Sequence, residues 1–288
     1  MMKRSEIHFK TALVYLVVLL SIVIEGGTNH VLAGEDPGDL FNYSFAVWLG
    51  SGVYRVKDAD KRFAVLRVPA AYTLRPAQYD KPALRDRLGF RLLLPVAIGF
   101  EEETDTNFSF GTVAFVPGLE VQIPVNEYWA LKPFAQFGAG KDTAGGDLQY
   151  IYGGGFRSLI SIPWRKFVFG IGNSLVLAEN RDATSKDTSG FSMVNAGLDI
   201  RHPTNFTIFD RQLDVSGFFI INRFQNRVDI LGDDGETNRI KTLYEVGMTF
   251  GLSKSISIWK ANVDRVGIDY RWGDDGFRGI GFNMGFPF

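Results

Sequence analysis

The feature that most constrains this chain is a strict two-residue alternation that recurs along its length and is clearest at its end. Ile280, Phe282, Met284, Phe286 and Phe288 are all apolar, and Gly279, Gly281, Asn283, Gly285 and Pro287 lie between them. Successive side chains of a β-strand point to opposite sides, so a period of two gives one large greasy face and one small or polar face. A soluble sandwich strand can show this once. It does not explain why the second face so often carries charge. Tyr244, Val246, Met248, Phe250 and Leu252 interleave with Glu245, Gly247, Thr249, Gly251 and Ser253. Val266, Ile268, Tyr270 and Trp272 interleave with Arg265, Gly267, Asp269 and Arg271, and Val194, Ala196, Leu198 and Ile200 with Asn195, Gly197, Asp199 and Arg201. Leu119, Val121 and Ile123 alternate with Glu120 and Gln122, while Phe41, Tyr43, Phe45, Val47 and Leu49 are set against Asn42, Ser44, Ala46 and Gly50. Charge would be costly in a packed core, whereas a watery barrel interior accepts it. The pattern predicts an all-β fold, a transmembrane antiparallel up-and-down β-barrel with its apolar face toward lipid.

Such segments fall at 42–56, 61–75, 88–101, 108–123, 128–140, 148–161, 166–178, 191–202, 213–224, 240–252, 262–273 and 277–288. Twelve strands are predicted, with ten or fourteen if a weak segment is split or merged, and an even number is expected of single-chain bacterial barrels. Connections should alternate between short periplasmic turns and longer outer loops. The polar stretches Glu101 to Asn107, Gly140 to Asp147, Glu179 to Gly190 and Gln225 to Arg239 fit the outer set, and the tight Pro124 to Glu127 and Pro163 to Arg165 fit the inner one. Arg75 to Arg87 and Pro203 to Gln212 are long for periplasmic turns. Tyr128, Trp129, Trp164 and Phe288 are expected near the periplasmic rim and Trp272 near the outer one, as interfacial aromatic girdles.

The N-terminus has the layout of a signal peptide: Lys3, Arg4 and Lys10, then an apolar run from Ala12 to Ile24 that stops at Glu25. That run is short for a membrane helix, which needs about 20 apolar residues. Val31-Leu32-Ala33 places cleavage after Ala33, so the expected organisation is a signal peptide over 1–33, a short lead over 34–41 and a barrel over 42–288. The expected location is the outer membrane of a Gram-negative cell, reached through the periplasm. With no Cys there is no lipid-modified N-terminus, disulfide or thiolate site, and a net charge of −1 gives no reason to expect nucleic acid. No residue pattern fixes an oligomeric state.

The candidate functional set is the inward, lumen-lining group Glu120, Asp199, Arg201, Glu245, Arg265, Asp269 and Arg271. Charges inside a narrow barrel must pair, bind water or line a pathway. Twelve strands lie between filled eight-stranded barrels and open sixteen-stranded porins, so a conducting pore and a plugging salt-bridge network both stay open. Catalysis by a membrane-embedded lipid or peptide hydrolase is the alternative. The expected mature chain offers that alternative one His, His202, with Asp199 and Asp210 near it in sequence and no Ser in a recognisable motif. A rim His beside a turn is the favoured reading, and no enzyme activity is expected. Surface adhesion through the loops near Asp182 and Asp233 is a third class. Gly153-Gly154-Gly155 and Gly170-Ile171-Gly172 open no helix, so they read as strand glycines that permit close approach of something filling the lumen rather than as phosphate loops. Asp233, Asp234, Glu236, Asp274 and Asp275 read as solvated loop charge, so neither metal nor cofactor is expected.

The ending Gly281-Phe-Asn-Met-Gly-Phe-Pro-Phe288 resembles the C-terminal assembly signal of bacterial outer-membrane proteins, carried by Ile280, Phe282, Met284, Phe286 and Phe288, with Pro287 a departure from the usual penultimate residue. The resemblance implies insertion by the barrel-assembly machinery, with membrane lipid and lipopolysaccharide as surroundings. The run Arg265-Val-Gly-Ile-Asp-Tyr-Arg-Trp272, a Gly-Asp-Asp-Gly turn and the last strand look like the translocator barrel of autotransporters. Without a passenger ahead of the barrel, the chain is similar to solitary autotransporter-like barrels.

Overall fold

The computed structural model describes residues 47–56, 61–104, 107–142, 147–208, 210–231, 237–258 and 261–288. The expected signal peptide, the lead and the segment 42–46 lie outside the described residues. The described chain is almost entirely strand: β1 Ser51–Val56, β2 Lys61–Arg75, a short helix α1 Leu84–Arg87, β3 Gly89–Thr104, β4 Asn107–Phe115, β5 Gly118–Pro124 and β6 Trp129–Asp142. There follow β7 Leu148–Trp164, β8 Phe167–Asp182, β9 Thr188–Ile208, β10 Arg211–Leu231, β11 Thr237–Ile258, β12 Ala261–Gly273 and β13 Phe277–Asn283. Each pairs antiparallel with its neighbours, and β1 closes on β13 from Ser51↔Phe282 to Val56↔Phe277, so the sheet is a barrel.

The thirteen strands occupy twelve wall positions, because β4 and β5 are two halves of one. Both pair with β3 on one side and β6 on the other. The break falls at Val116-Pro117, where proline has no N–H to give the ladder. Single bonds bridge the gap, from Val116 N to Pro95 O (3.2 Å) and from Phe137 N to Pro117 O (2.9 Å).

The connections at 125–128 and 165–166 and the turn at Asp210 define a turn end of the barrel, and those at 183–187 and 274–276 a loop end. One expectation changes here: Pro203 to Gln212 is not a long link. β9 runs into it as far as Ile208 and β10 starts within it at Arg211, with Asp210 in a turn at a φ of 58°. Thr204 Oγ1 donates to Leu213 O (2.8 Å) and Gln212 Nε2 to Thr204 O (2.9 Å) across the bulge between Gln212 and Asp214.

The wall is apolar outside. Val246, Met248 and Phe250 on β11 sit beside Val266, Ile268 and Tyr270 on β12, and Ile280 and Phe282 on β13, all at least 39% exposed. Phe115, Leu119, Phe137, Phe156 and Phe219 carry the apolar surface round the barrel. Phe219, Tyr244, Tyr270 and Trp272 stack in one outer patch toward the loop end, and Trp164, Phe167, Phe169 and His202 form another at the turn end.

The interior is apolar in part. Tyr54, Phe63, Phe191, Phe224, Leu243 and Phe277 meet in a buried cluster on the inner face toward the loop end. Two wall segments also fold inward. The first strand starts at Ser51, not residue 42. Residues 47–49 form a helical turn inside the barrel, with Val47 and Leu49 buried rather than facing out and Trp48 against Phe191. The last strand stops at Asn283. Ile280, Phe282 and Met284 are exposed as the alternation requires, but Phe286 and Phe288 turn into the lumen, where Phe288 packs on Phe218 and Ile220. The physical reason is backbone: Gly50 (φ 94°) and Gly285 (φ 110°) take the left-handed region at the points where the chain leaves the wall.

Two inner-wall glycines receive these segments. A Cβ on Gly153 would meet the Trp48 ring at 2.6 Å, and one on Gly172 the Phe288 ring at 2.3 Å.

Candidate functional site

The seven candidate residues all lie on the inner side of the wall, because the ladders pair them with one another or with other inward residues. Glu245 is opposite Arg271, Gly281 opposite Asp269, and Arg201 opposite Ser216. They form three networks. In the first, Arg271 Nε faces Glu245 Oε2 at 3.1 Å and Asp269 Oδ2 at 2.9 Å, and its Nη1 donates to Tyr54 OH at 2.8 Å and to Leu49 O. Asn283 Nδ2 donates to the other Asp269 oxygen at 2.9 Å. One guanidinium thus ties β11, β12 and the inward turn together.

The second network is built on Glu120, 1% exposed, between Arg157 Nη1 at 2.8 Å and Arg91 Nη1 at 3.1 Å. Gln122 Nε2 adds a bond at 3.3 Å, and the Arg157 guanidinium lies 4.2 Å over the Phe134 ring. The third joins Arg265 to Asp214, with Arg265 Nε donating to Thr249 Oγ1 at 2.9 Å and Thr249 sharing a 2.7 Å bond with Ser216. Arg201 joins it loosely, 3.9 Å from Asp199 and 4.0 Å from Asp214.

Sequence reasoning missed Tyr54, Arg67, Arg91, Lys132, Arg157 and Asp214. Arg67 sits on β2 among inward Phe63 and Val65 and outward Leu66 and Val68, so both faces of that strand are apolar and no alternation marks it. Arg157 follows the glycine run of β7, which has no side chains to set a phase. Asp214 lies at the start of the strand expected over 213–224, just past the segment expected to be a link.

Between the Trp48 turn and the Phe286–Phe288 segment is a cavity of about 400 Å³. A smaller one of about 200 Å³, lined by Asp199, Arg201 and Arg265, lies beyond Phe286, which borders both. The large cavity is cationic: Arg67, Arg91, Lys132, Arg157 and Arg271 border it. Among the described residues its side-chain carboxylates are Glu120 and Glu245. Lys132 Nζ donates to the main-chain oxygen of Phe288 at 2.9 Å.

His202 lies on the outer face, its ring 4.9 Å from that of Phe167, while Asp199 points inward to Arg201. The wall separates them, so the acid–base pair considered from sequence is not assembled. Asp274 Oδ2 accepts from Lys241 N (2.9 Å) and Thr242 N (2.8 Å), tying the last loop to β11, and Asp182 Oδ1 accepts from Thr184 N (2.7 Å) and Ser185 N (2.8 Å), organising the loop that follows it. Among the described residues no group of three acidic or His side chains could hold a metal, and Asp233, Asp234 and Glu236 lie outside them.

No protein-family model and no curated protein matches the chain. Among solved structures, it is similar to the beta domain of the Bordetella autotransporter BrkA, with 9% identity, 81% of this chain and 94% of that chain covered, and a TM-score of 0.44.

Proposed function

We propose that the chain is an integral outer-membrane β-barrel with an occluded lumen, serving as a structural or surface component of the envelope rather than as an enzyme. The observation that carries this reading is the inversion of its two surfaces: a closed wall with large apolar side chains outside and ion-pair networks inside. In water that outer surface would be an aggregation liability, whereas in hydrocarbon a closed barrel leaves no unpaired edge. The two aromatic patches fall where interfacial girdles would sit. Lipid and lipopolysaccharide are its surroundings and the barrel-assembly machinery its route of insertion.

The occluded form is favoured over a pore by what fills the lumen, namely the aromatic cluster, the Trp48 turn and Phe286–Phe288. Planar-bilayer recording of the folded protein, after heat-modifiable migration on a gel has established folding, decides between them. Silence fits an occluded barrel. Discrete, reproducible steps sink it and turn attention to ion selectivity in variants of Arg201, Arg265 and Glu245.

A further inference from the structure

We propose that the large lumenal cavity is a binding site for a small oxyanion, of the phosphate or carboxylate class, held by the guanidinium of Arg67. Among the described residues, five cationic side chains border the cavity and two side-chain carboxylates do. Those carboxylates are already engaged. Glu120 is shared by Arg91 and Arg157, and Glu245 pairs with Arg271, which also takes Asp269 from behind. Even with Asp269 counted, Lys132 and Arg67 are left without a side-chain carboxylate among the described residues. Lys132 donates to an oxygen of Phe288, the last residue of the sequence, whose terminal carboxylate answers its charge, so Arg67 is the cation left over.

Arg67 has less. Its backbone exchanges hydrogen bonds with Ser51 Oγ (2.8 and 2.9 Å), but among the described residues its Nε is shut away from solvent with no acceptor, and the like-signed Arg157 and Arg271 both act on its side chain. A sequestered cation facing cations can be relieved by losing its proton or by gaining an anion. Guanidinium keeps its proton, which leaves the anion. The planar fork matches the paired oxygens of phosphate or carboxylate, and Lys132 and Arg157 border the same space as point charges for the remaining oxygens. At about 400 Å³ the cavity is at the small end of ligand sites, which run ~300–1,000 Å³. Phe191, Met193 and Ile220 on its border would accept a short carbon skeleton behind the charged head.

The test is calorimetric titration of inorganic phosphate into the folded protein in detergent, against chloride at matched ionic strength. The expected result is saturable one-to-one phosphate binding, weakened at least tenfold in Arg67→Gln and changed less than twofold in Arg278→Gln, an exposed cation on β13 away from the cavity. Arg67→Lys, which keeps the charge and loses the fork, should weaken phosphate several-fold. Without phosphate, Arg67→Gln should unfold at a higher temperature than the wild type, since it removes a repelled charge, and added phosphate should narrow that gap. Phosphate no better than chloride, or equal affinity in Arg67→Gln or Arg67→Lys, overturns the proposal. Should Arg67→Gln not refold, the Arg67→Lys and chloride comparisons still decide it. These outcomes are independent of whether the barrel conducts.

Discussion

Replacing Glu120 by Gln removes one negative charge while keeping shape, and the structure says what that costs. The carboxylate is 1% exposed and is the acidic partner of two guanidiniums, at 2.8 and 3.1 Å. At an effective dielectric of about 20, charges about 4 Å apart attract by roughly 4 kcal/mol. Water screens the Arg91 share, because that side chain is 34% exposed, so its pair contributes only about 0–1 kcal/mol. The Arg157 side chain is 19% exposed and would be stranded against Arg67 and Lys132. Breaking a buried pair by removing one partner costs about 3–5 kcal/mol, and that is the expected destabilisation of Glu120→Gln. Adding Arg157→Met removes the stranded charge, so the double variant should recover at least about 2 kcal/mol, less what is lost from the Phe134 contact. Urea unfolding in phospholipid vesicles, followed by tryptophan fluorescence, measures all three. A Glu120→Gln barrel within about 1 kcal/mol of wild type, or strict additivity in the double variant, would refute the view that the lumen is held by these pairs.

Three further outcomes are expected. Arg271→Met leaves Glu245 and Asp269 facing one another without their cation and should cost about 3–5 kcal/mol in the same assay; a loss under 1 kcal/mol would contradict the role given to the first network. Gly172→Val puts a Cβ 2.3 Å from the Phe288 ring and should cost about 1–3 kcal/mol, and combining it with Phe288→Ala should be clearly less than additive; additive losses would place Phe288 elsewhere. Phe282→Arg sets a charge on the outer face and should cost about 2–4 kcal/mol if that residue lies near the bilayer midplane, so normal assembly of this variant would argue against the assigned facing.

Much of the wall was readable from alternation alone. The outward set on β11 and β12 and the inward charges opposite them follow from a period of two with contrasting faces, as in Met248 beside Thr249. The number of wall positions survived the Pro117 break because both halves keep the same facing, with Val116 and Glu120 inside and Phe115 and Leu119 outside. The inward folding of Val47–Leu49 and Phe286–Phe288 was not readable, since the sequence alternation continues through both of these segments that leave the wall. Only Gly50 and Gly285 mark the departures, and a glycine in a barrel strand is equally compatible with staying. The charges missed on β2 and β7 have different local causes: on β2 the inner face is itself apolar, with Phe63 and Val65 ahead of Arg67, and on β7 the glycine run before Arg157 sets no phase. The glycines of β7 and β8 did hint at a filled lumen, and Trp48 and Phe288 are what lies against Gly153 and Gly172.

The most direct test of the account uses the absence of cysteine from the chain. Single cysteines placed in turn at Glu245, Val246, Gly247, Met248, Thr249 and Phe250, in protein folded into vesicles, would be challenged with a lipid-dissolved maleimide and with a water-soluble one. The lipid-borne reagent should label positions 246, 248 and 250 and spare 245, 247 and 249, with the water-soluble reagent failing at the outward three. Uniform labelling along the strand, or outward cysteines reached equally well from water, would contradict a membrane barrel with its charges turned inside.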